Sequence, residues 1–258
     1  MAHSSSSDTT NIRSVETAFA VVELLREEEI TGVGEVATAL DLARSTAHNY
    51  LTTLRNLGYV VHEDGVYRLS WRFLELGEQI RDTRADYRLL GDYVTNLADR
   101  FEERAQFIVE ENGEGVYLYR ETGNRAVWTD SGVGKRICLH STAAGKAILA
   151  FLPESRVEEI VRRQGLEQVT AHTISDERAL IEELRRIRER GFAFNREENL
   201  ERLNAVGVPV RSADGGVLGA LSVSGPSHRL KGNRLEKEVP EYMLGLANEI
   251  ELNLAYPS

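Results

Sequence analysis

Between residues 34 and 69 the apolar positions change period twice. Val36, Ala37 and Leu40 form one short apolar face, Asp41-Leu42-Ala43 interrupts it, and Ala47, Tyr50, Leu51, Leu54 and Leu57 resume at helical spacing. This predicts two short helices joined by a tight turn. Ser45 is placed to cap the second helix by accepting a first-turn amide, and Gly58 stands where a left-handed stop is expected. Next, Tyr59-Val60-Val61-His62 and Val66-Tyr67-Arg68-Leu69 flank Glu63-Asp64-Gly65, which predicts a compact hairpin, a wing beside the helices.

Farther on, Trp71, Leu74 and Ile80 are expected on one side of a helix leaving the wing, and the polar run Arg81 to Asp86 offers a pivot between domains. The boundary is placed near residue 84. Beyond it, helical patterns (Leu89 to Arg104, Thr142 to Leu152, Glu154 to Gln164, Ser175 to Arg190, Lys237 to Leu254) alternate with strand-like runs. Those runs are Ala105 to Val109, Gly115 to Arg120, Ala126 to Asp130, Val206 to Arg211 and Val217 to Val223. The mixture predicts an α+β domain with a mostly antiparallel sheet. The expected organisation is a disordered stretch over 1–11, a winged helix-turn-helix over 12–70, a linker helix over 71–84 and an α+β domain over 85–258.

The face of the second short helix opposite its leucines carries Ser45, Thr46, His48, Asn49, Thr52, Thr53 and Arg55, with Arg44 just before it, and no carboxylate occurs between Asp41 and Glu63; Arg44, Ser45, Thr46, His48, Asn49, Thr52 and Arg55 are the candidate DNA contacts. Short neutral donors and acceptors suit the major groove: Asn pairs bidentately with adenine, Thr bonds a base or packs on a thymine methyl, and Arg takes guanine or phosphate. An isolated polar helix face is most often only solvated surface. The paired helix, the turn and the wing together favour a nucleic-acid reader.

Composition bounds the remaining possibilities. A chain of 258 residues can bury a sizeable core and fits two domains better than one. Residues 1–11 lack the apolar run of a signal peptide and nothing is long enough to span a bilayer, so a cytoplasmic protein without membrane contact is expected. The lone Cys138 cannot form an internal disulfide, and no Cys/His spacing suits zinc; no metal or cofactor is expected. A net charge of −10 runs against phosphate binding, but the acids concentrate elsewhere, as in Glu27-Glu28-Glu29 and Glu102-Glu103. Lysine occurs only at Lys135, Lys146, Lys231 and Lys237. Excess acid with scarce lysine fits a high-salt cytoplasm, and a GC-rich genome accounts equally for the arginine bias alone.

In the second domain, Leu139 to Ala147 reads as a strand end breaking into a helix, with Ser141 or Thr142 as cap and small residues exposing free amides. A helix N-terminus of this kind attracts a carboxylate or phosphate. Ser222 and Ser224, two apart on a strand, face one side while Leu221 and Val223 face the other. The combination suits a small organic acid; the plainer alternative is close helix–sheet packing with serines at a strand end.

Four blocks in order now carry a resemblance: Gly34 to Tyr59, Leu139 to Ala150, Gly191-Phe-Ala-Phe-Asn-Arg-Glu-Glu-Asn199 and Ala220-Leu-Ser-Val-Ser-Gly-Pro226. Together they resemble the IclR family of transcriptional regulators, over nearly the whole chain from Ile12. The resemblance implies an N-terminal winged helix, a linker helix and a C-terminal GAF-like effector domain, assembled as a homodimer or a tetramer on double-stranded promoter DNA. It also implies a small-molecule effector, often a carboxylate or an aromatic acid. By the same resemblance the effector contacts fall on Thr142, Ala143 and Ala144 and on Ser222, Val223 and Ser224. Two further contacts depart from the family pattern, with Asn195 where many members have Asp and Ala205 where many have Cys. Asn49 stands where Arg is frequent, so a distinct operator is expected.

Signs of catalysis are weak. Gly134-Lys135 and Gly145-Lys146 lack the earlier glycine of a phosphate loop, with Thr129 and His140 in its place, and neither lysine precedes Ser or Thr. Cys138 and His140 would share a strand face, yet a lone cysteine in an apolar run is usually plain core. Glu197 and Glu198 are adjacent rather than opposed, the pattern of a solvated turn. An enzyme is therefore not expected. The competing reading is a ligand-binding or dimerisation module that uses its winged helix for protein contacts; it would call for apolar residues between Arg44 and Arg55 on the exposed face, where none stand.

Overall fold

The computed structural model describes residues 11–27, 32–127 and 132–256, in two compact units, Met1–Thr83 and Arg84–Ser258. Of the stretch 1–11, expected to be disordered, residues 1–10 lie outside the described residues, as does most of the strand expected at Ala126 to Asp130; Ala126 and Val127 are not in a strand. Among the described residues no helix is long and apolar enough to cross a membrane.

In the first unit α1 (Arg13–Glu27), α2 (Val33–Ala39) and α3 (Arg44–Asn56) surround a core of Val21, Val22, Leu25, Val36, Ala47, Leu51 and Leu54. α1 is an addition to the elements expected from apolar periodicity, and its Val21, Val22 and Leu25 supply one wall of that core. Ser45 does not cap α3: Ala43, extended at φ −61 and ψ 140, is the N-cap without a side-chain bond, so the helix starts ahead of Ser45 and leaves it exposed. Gly58 does stop α3. At φ +80 it donates its amide to the Arg55 carbonyl (2.9 Å) while the Tyr59 amide reaches the Leu54 carbonyl (2.9 Å), a Schellman closure. Leu57, expected on the apolar face, is 55% exposed because it already belongs to this turn.

The wing is the antiparallel pair β1 (Val60–Glu63) and β2 (Val66–Leu69). Asp64 and Gly65, both at positive φ (53 and 82), form the two-residue turn whose twist matches the strands. The helix after it, α4 (Arg72–Asp82), is anchored at its start, where Phe73 packs on Tyr59 at 5.3 Å and Arg72 Nη1 donates to the Leu57 carbonyl at 3.1 Å. Trp71, Leu74 and Ile80 are exposed but do not share one side. Trp71 precedes the helix, and at 3.6 residues per turn Leu74 and Ile80 point roughly 120° apart.

The second unit opens with α5 (Ala85–Arg88) and α6 (Leu90–Phe101). Its strands are β3 (Arg104–Glu111), β4 (Glu114–Thr122), β5 (Arg136–Ile137), β6 (Ala193–Arg196), β7 (Leu203–Arg211) and β8 (Val217–Pro226). They make one six-stranded sheet of order β5-β4-β3-β8-β7-β6 in which every pair is antiparallel. Between β5 and β6 run α7 (Ala143–Phe151), α8 (Glu154–Gln164) and α9 (Glu177–Arg190); a π-helical turn at Arg234–Glu238 leads into α10 (Val239–Ala255). Strand alternation splits the apolar residues between two cores. Phe107, Val206, Val208, Leu221 and Val223 meet α6 and α10, and Ile108, Tyr117 and Ala220 meet α7, α8 and α9. The short strands β5 and β6 escaped the pattern analysis because runs of two and four residues are too brief to show a period.

Leu51, fully buried at the centre of the three-helix core, sets the stability of the first unit. Leu51→Ala should cost about 2–5 kcal/mol there through lost burial and a residual cavity. In calorimetry the transition assigned to this unit should move down while that of residues 84–258 stays in place.

Candidate functional site

The helix α3 turns two surfaces outward and inward. Ala47, Leu51 and Leu54 are buried, while Arg44, Ser45, His48, Asn49 and Arg55 are exposed and Thr46 and Thr52 are half-buried at the edges of that face. The seven residues singled out from sequence thus share the solvent side of one helix. Fold and spacing agree here because α3 is regular over its whole length.

The second site is built by sheet register. The pairings Arg104↔Ser224, Ser224↔Ala205 and Ala205↔Asn195 line up one row across β3, β8, β7 and β6. The next row, Gln106↔Ser222 and Ser222↔Gly207, runs beside it. Above this second row begins α7. A Cβ added at Gly207 would lie 2.4 Å from the Ala143 C and O atoms and 2.5 Å from the Ala144 N atom, so only glycine lets the helix start this close to the sheet. Thr142 is the N-cap, its hydroxyl accepting from the Gly145 amide at 3.1 Å, and Ala143 and Ala144 follow as the first two helical residues. First-turn amides have no partner within their own helix, and the helix dipole adds positive potential there.

Helix start and sheet rows enclose a cavity of about 30 Å³ lined by Thr142, Ala143, Ala144, Asn195, Ala205, Ser222 and Ser224. Seven of the eight residues assigned by resemblance are therefore brought together. The eighth, Val223, is not: its side chain faces away, into the core beneath α6 and α10, as strand alternation requires. Four further residues share the lining with functional potential, Arg104, Gln106, Tyr117 and Asn199, and sequence patterning missed them. Arg104 and Gln106 sit at the mouth of a strand that otherwise reads as an apolar run, so only the register with Ser222 and Ser224 reveals them.

The cavity's polar groups are held in place. Ser224 Oγ accepts from Arg104 Nε (3.2 Å), Arg104 Nη2 (3.1 Å) and Gln106 Nε2 (3.3 Å). Burial lowers the Arg104 pKa and raises that of Tyr117, whose shift the nearby Arg104 and Arg120 partly oppose. Asn195 uses both ends of its amide: Nδ2 donates to the Ser141 carbonyl (3.1 Å) and Oδ1 accepts from the Glu198 amide (2.8 Å). An Asp, the residue that the resemblance sets against Asn195, could not make the first of these bonds.

Glu198 departs from the expected solvated turn. It is buried and ion-paired with Lys146, which is 1% exposed on α7, while Thr173 Oγ1 donates to its carbonyl at 2.6 Å. Burial pushes the Lys146 pKa down and the Glu198 carboxylate opposes that shift. The pair ties the 195–199 wall of the cavity to α7. Its neighbour Glu197, at φ 64, accepts the Arg202 amide at 2.9 Å. Cys138, taken for plain core, is exposed; partial desolvation, Glu167 and Glu114 raise its pKa, which disfavours the thiolate. It also shares no strand face with His140, since β5 ends at Ile137 and His140 instead turns inward to the Glu167 carbonyl at 2.9 Å.

A helix-turn-helix with a wing, carried on one chain with an α+β unit that encloses a polar cavity, is the make-up of a ligand-responsive transcriptional regulator. Residues 14–64 match the family profile described as the IclR helix-turn-helix domain, and residues 87–252 match that of the bacterial transcriptional regulator IclR C-terminal. The chain is 34% identical over 247 residues, 94% of each chain, to the probable HTH-type transcriptional regulator ArcR of Halobacterium salinarum. With the HTH-type transcriptional regulator KdgR of Escherichia coli it shares 29% identity over 231 residues, 89% of this chain and 88% of that one. Its fold matches the crystal structure of Thermotoga maritima IclR at a TM-score of 0.83 and 28% identity, covering 95% of this chain and 100% of the other. An IclR homolog from Microbacterium hydrocarbonoxydans, complexed with 4-hydroxybenzoate, matches at 0.77 and 24%, covering 93% and 98%. The chain belongs to the IclR family: it is a transcriptional regulator with a helix-turn-helix DNA-binding domain and a C-terminal effector-binding domain.

Two substitutions probe the cavity walls. Glu198→Gln strands the Lys146 ammonium in the interior and should destabilise the second unit by about 3–5 kcal/mol in urea unfolding. Gly207→Ala should cost roughly 1–3 kcal/mol by overpacking against the α7 start, with faster amide hydrogen exchange at residues 143–146.

Proposed function

We propose that this regulator binds promoter DNA through α3 and that a small organic acid in the cavity beneath α7 sets its affinity. The observation that carries the second half is the character of the lining: first-turn amides of α7, the Ser222 and Ser224 hydroxyls and Arg104 offer donors, and among the described residues no carboxylate lines the cavity. Such a surface attracts an anion. That a structural relative holds 4-hydroxybenzoate, an aromatic carboxylate, supports the same class of ligand. At about 30 Å³ the cavity has room for water rather than for a metabolite, so ligand entry has to displace a wall, the 195–199 segment or the start of α7. A ligand that moves a wall favours one conformation over another, which is what a switch requires.

On the DNA side, Thr46, His48, Asn49 and Thr52 read bases, and Arg44, Ser45 and Arg55 hold phosphates. The protein works as a homodimer or a tetramer: the exposed Trp71, Leu74 and Ile80 around α4 leave apolar surface for a second copy. Scarce lysine, an acidic surface and a relative from Halobacterium salinarum support a saline, cytoplasmic setting.

Fluorescence anisotropy on DNA from upstream of its own gene, against scrambled DNA in potassium chloride, tests the DNA assignment. Asn49→Ala should weaken the specific site by roughly 1–3 kcal/mol and leave random binding nearly unchanged, whereas Arg55→Ala should weaken both. Equal losses of specific and random binding in both variants would contradict these roles.

A further inference from the structure

We propose that α9 packs antiparallel against α9 of a second copy of this chain, with Ile181 at the centre of the contact and Glu177 opposite the partner's Arg185. This adds a contact surface in the effector domain to the homo-oligomer reading, and it rests on that reading for the second copy.

Ile181 is 39% exposed, and among the large apolar side chains of α7, α8 and α9 no other stands out as far. A lone exposed isoleucine is ordinary surface. This one stands beside a groove between α8 and α9 that is lined by the buried Val157, Leu180 and Leu184. The groove holds about 150 Å³, and an apolar space of that size takes a benzene-sized group, so a branched aliphatic side chain fits. Two copies facing each other here offer each groove the other's isoleucine.

The charges around Ile181 say how the copies are oriented. Glu177 stands four residues before it and Arg185 four residues after it, so both share its face, one turn away on either side. Three other arginines of α9 already have acids: Arg190 pairs with Glu183 at 2.6 Å, Arg186 with Glu182 at 3.7 Å and Arg188 with Glu154 at 3.7 Å. Glu177 and Arg185 have no ion-pair partner among the described residues, and roughly 12 Å of helix separates them from each other. A two-fold axis beside Ile181 reverses the helix and brings the partner's Arg185 level with Glu177, and the partner's Glu177 level with Arg185. The face is complementary to itself in this orientation alone, since a parallel pairing would set Glu177 on Glu177. Burial of the two isoleucines supplies the attraction, and the ion pairs fix the register.

Thiol crosslinking of the full-length chain tests this. Cys138→Ser removes the one natural thiol, and Ile181→Cys places a new one at the centre of the contact. A short bismaleimide should then join two chains in high yield, several-fold above that of Glu189→Cys, an exposed control on the same helix. Added to Ile181→Cys, Glu177→Arg or Arg185→Glu alone sets like charges opposite each other and should lower the yield several-fold. The two together should restore it. Loss of helix stability would not be rescued in this way, because the double variant still carries the unfavourable Arg in the first turn of α9. If Ile181→Cys crosslinks no better than Glu189→Cys, if the single reversals leave the yield unchanged, or if the double variant stays as low as they are, the α9 pairing is wrong. Sedimentation of the unmodified chain separates the two failures: an oligomer without the crosslink leaves the homo-oligomer reading standing, and a monomer removes both.

Discussion

The contact between the first turn of α7 and strand β7 at Gly207 is the constraint on which the effector domain depends. Without a side chain there, the backbone of Ala143 and Ala144 comes down onto the sheet, and the helix start lines one cavity with Ser222 and Ser224 of β8. Everything polar in the cavity is arranged around that approach: Thr142 caps the helix, Asn195 ties the preceding loop to β6, and the buried Lys146–Glu198 pair holds α7 to the 195–199 segment. The pair contributes little net stability for its desolvation cost, yet breaking it leaves a charge inside. Its effect is to fix the position of the 195–199 wall against α7.

The winged helix was legible because its signals are local. Alternation of apolar residues, Gly58 at a left-handed position and Asp64-Gly65 in a two-residue turn each constrain only a few neighbours, and each is present in the folded unit. The misplaced details are of the same local kind. Ser45 has the chemistry of a cap, but an extended Ala43 starts the helix first. Trp71, Leu74 and Ile80 suggest a stripe only until the true start of α4 is known.

The cavity was half legible. The α7 start and the paired serines follow from small-residue and strand patterns, whereas Arg104, Gln106 and Tyr117 become neighbours of those residues only through long-range strand pairing, which no spacing along the chain records. Glu198 misled for a similar reason: beside Glu197 it looks like solvated surface, and its partner Lys146 lies on a helix formed by residues far earlier in the chain. Val223 shows the limit of transferring contacts by resemblance, since a strand residue between two cavity serines has its side chain in the opposite core.

The most direct test of the account is thermodynamic reciprocity between the two sites. DNA affinity should be measured by anisotropy with and without a saturating carboxylate that binds the cavity, and the affinity for that carboxylate should be measured by titration with and without DNA. Coupling predicts the same factor in both directions, on the order of 5–150-fold. A carboxylate that binds the second unit while leaving DNA affinity unchanged would contradict the claim that the cavity controls the regulator.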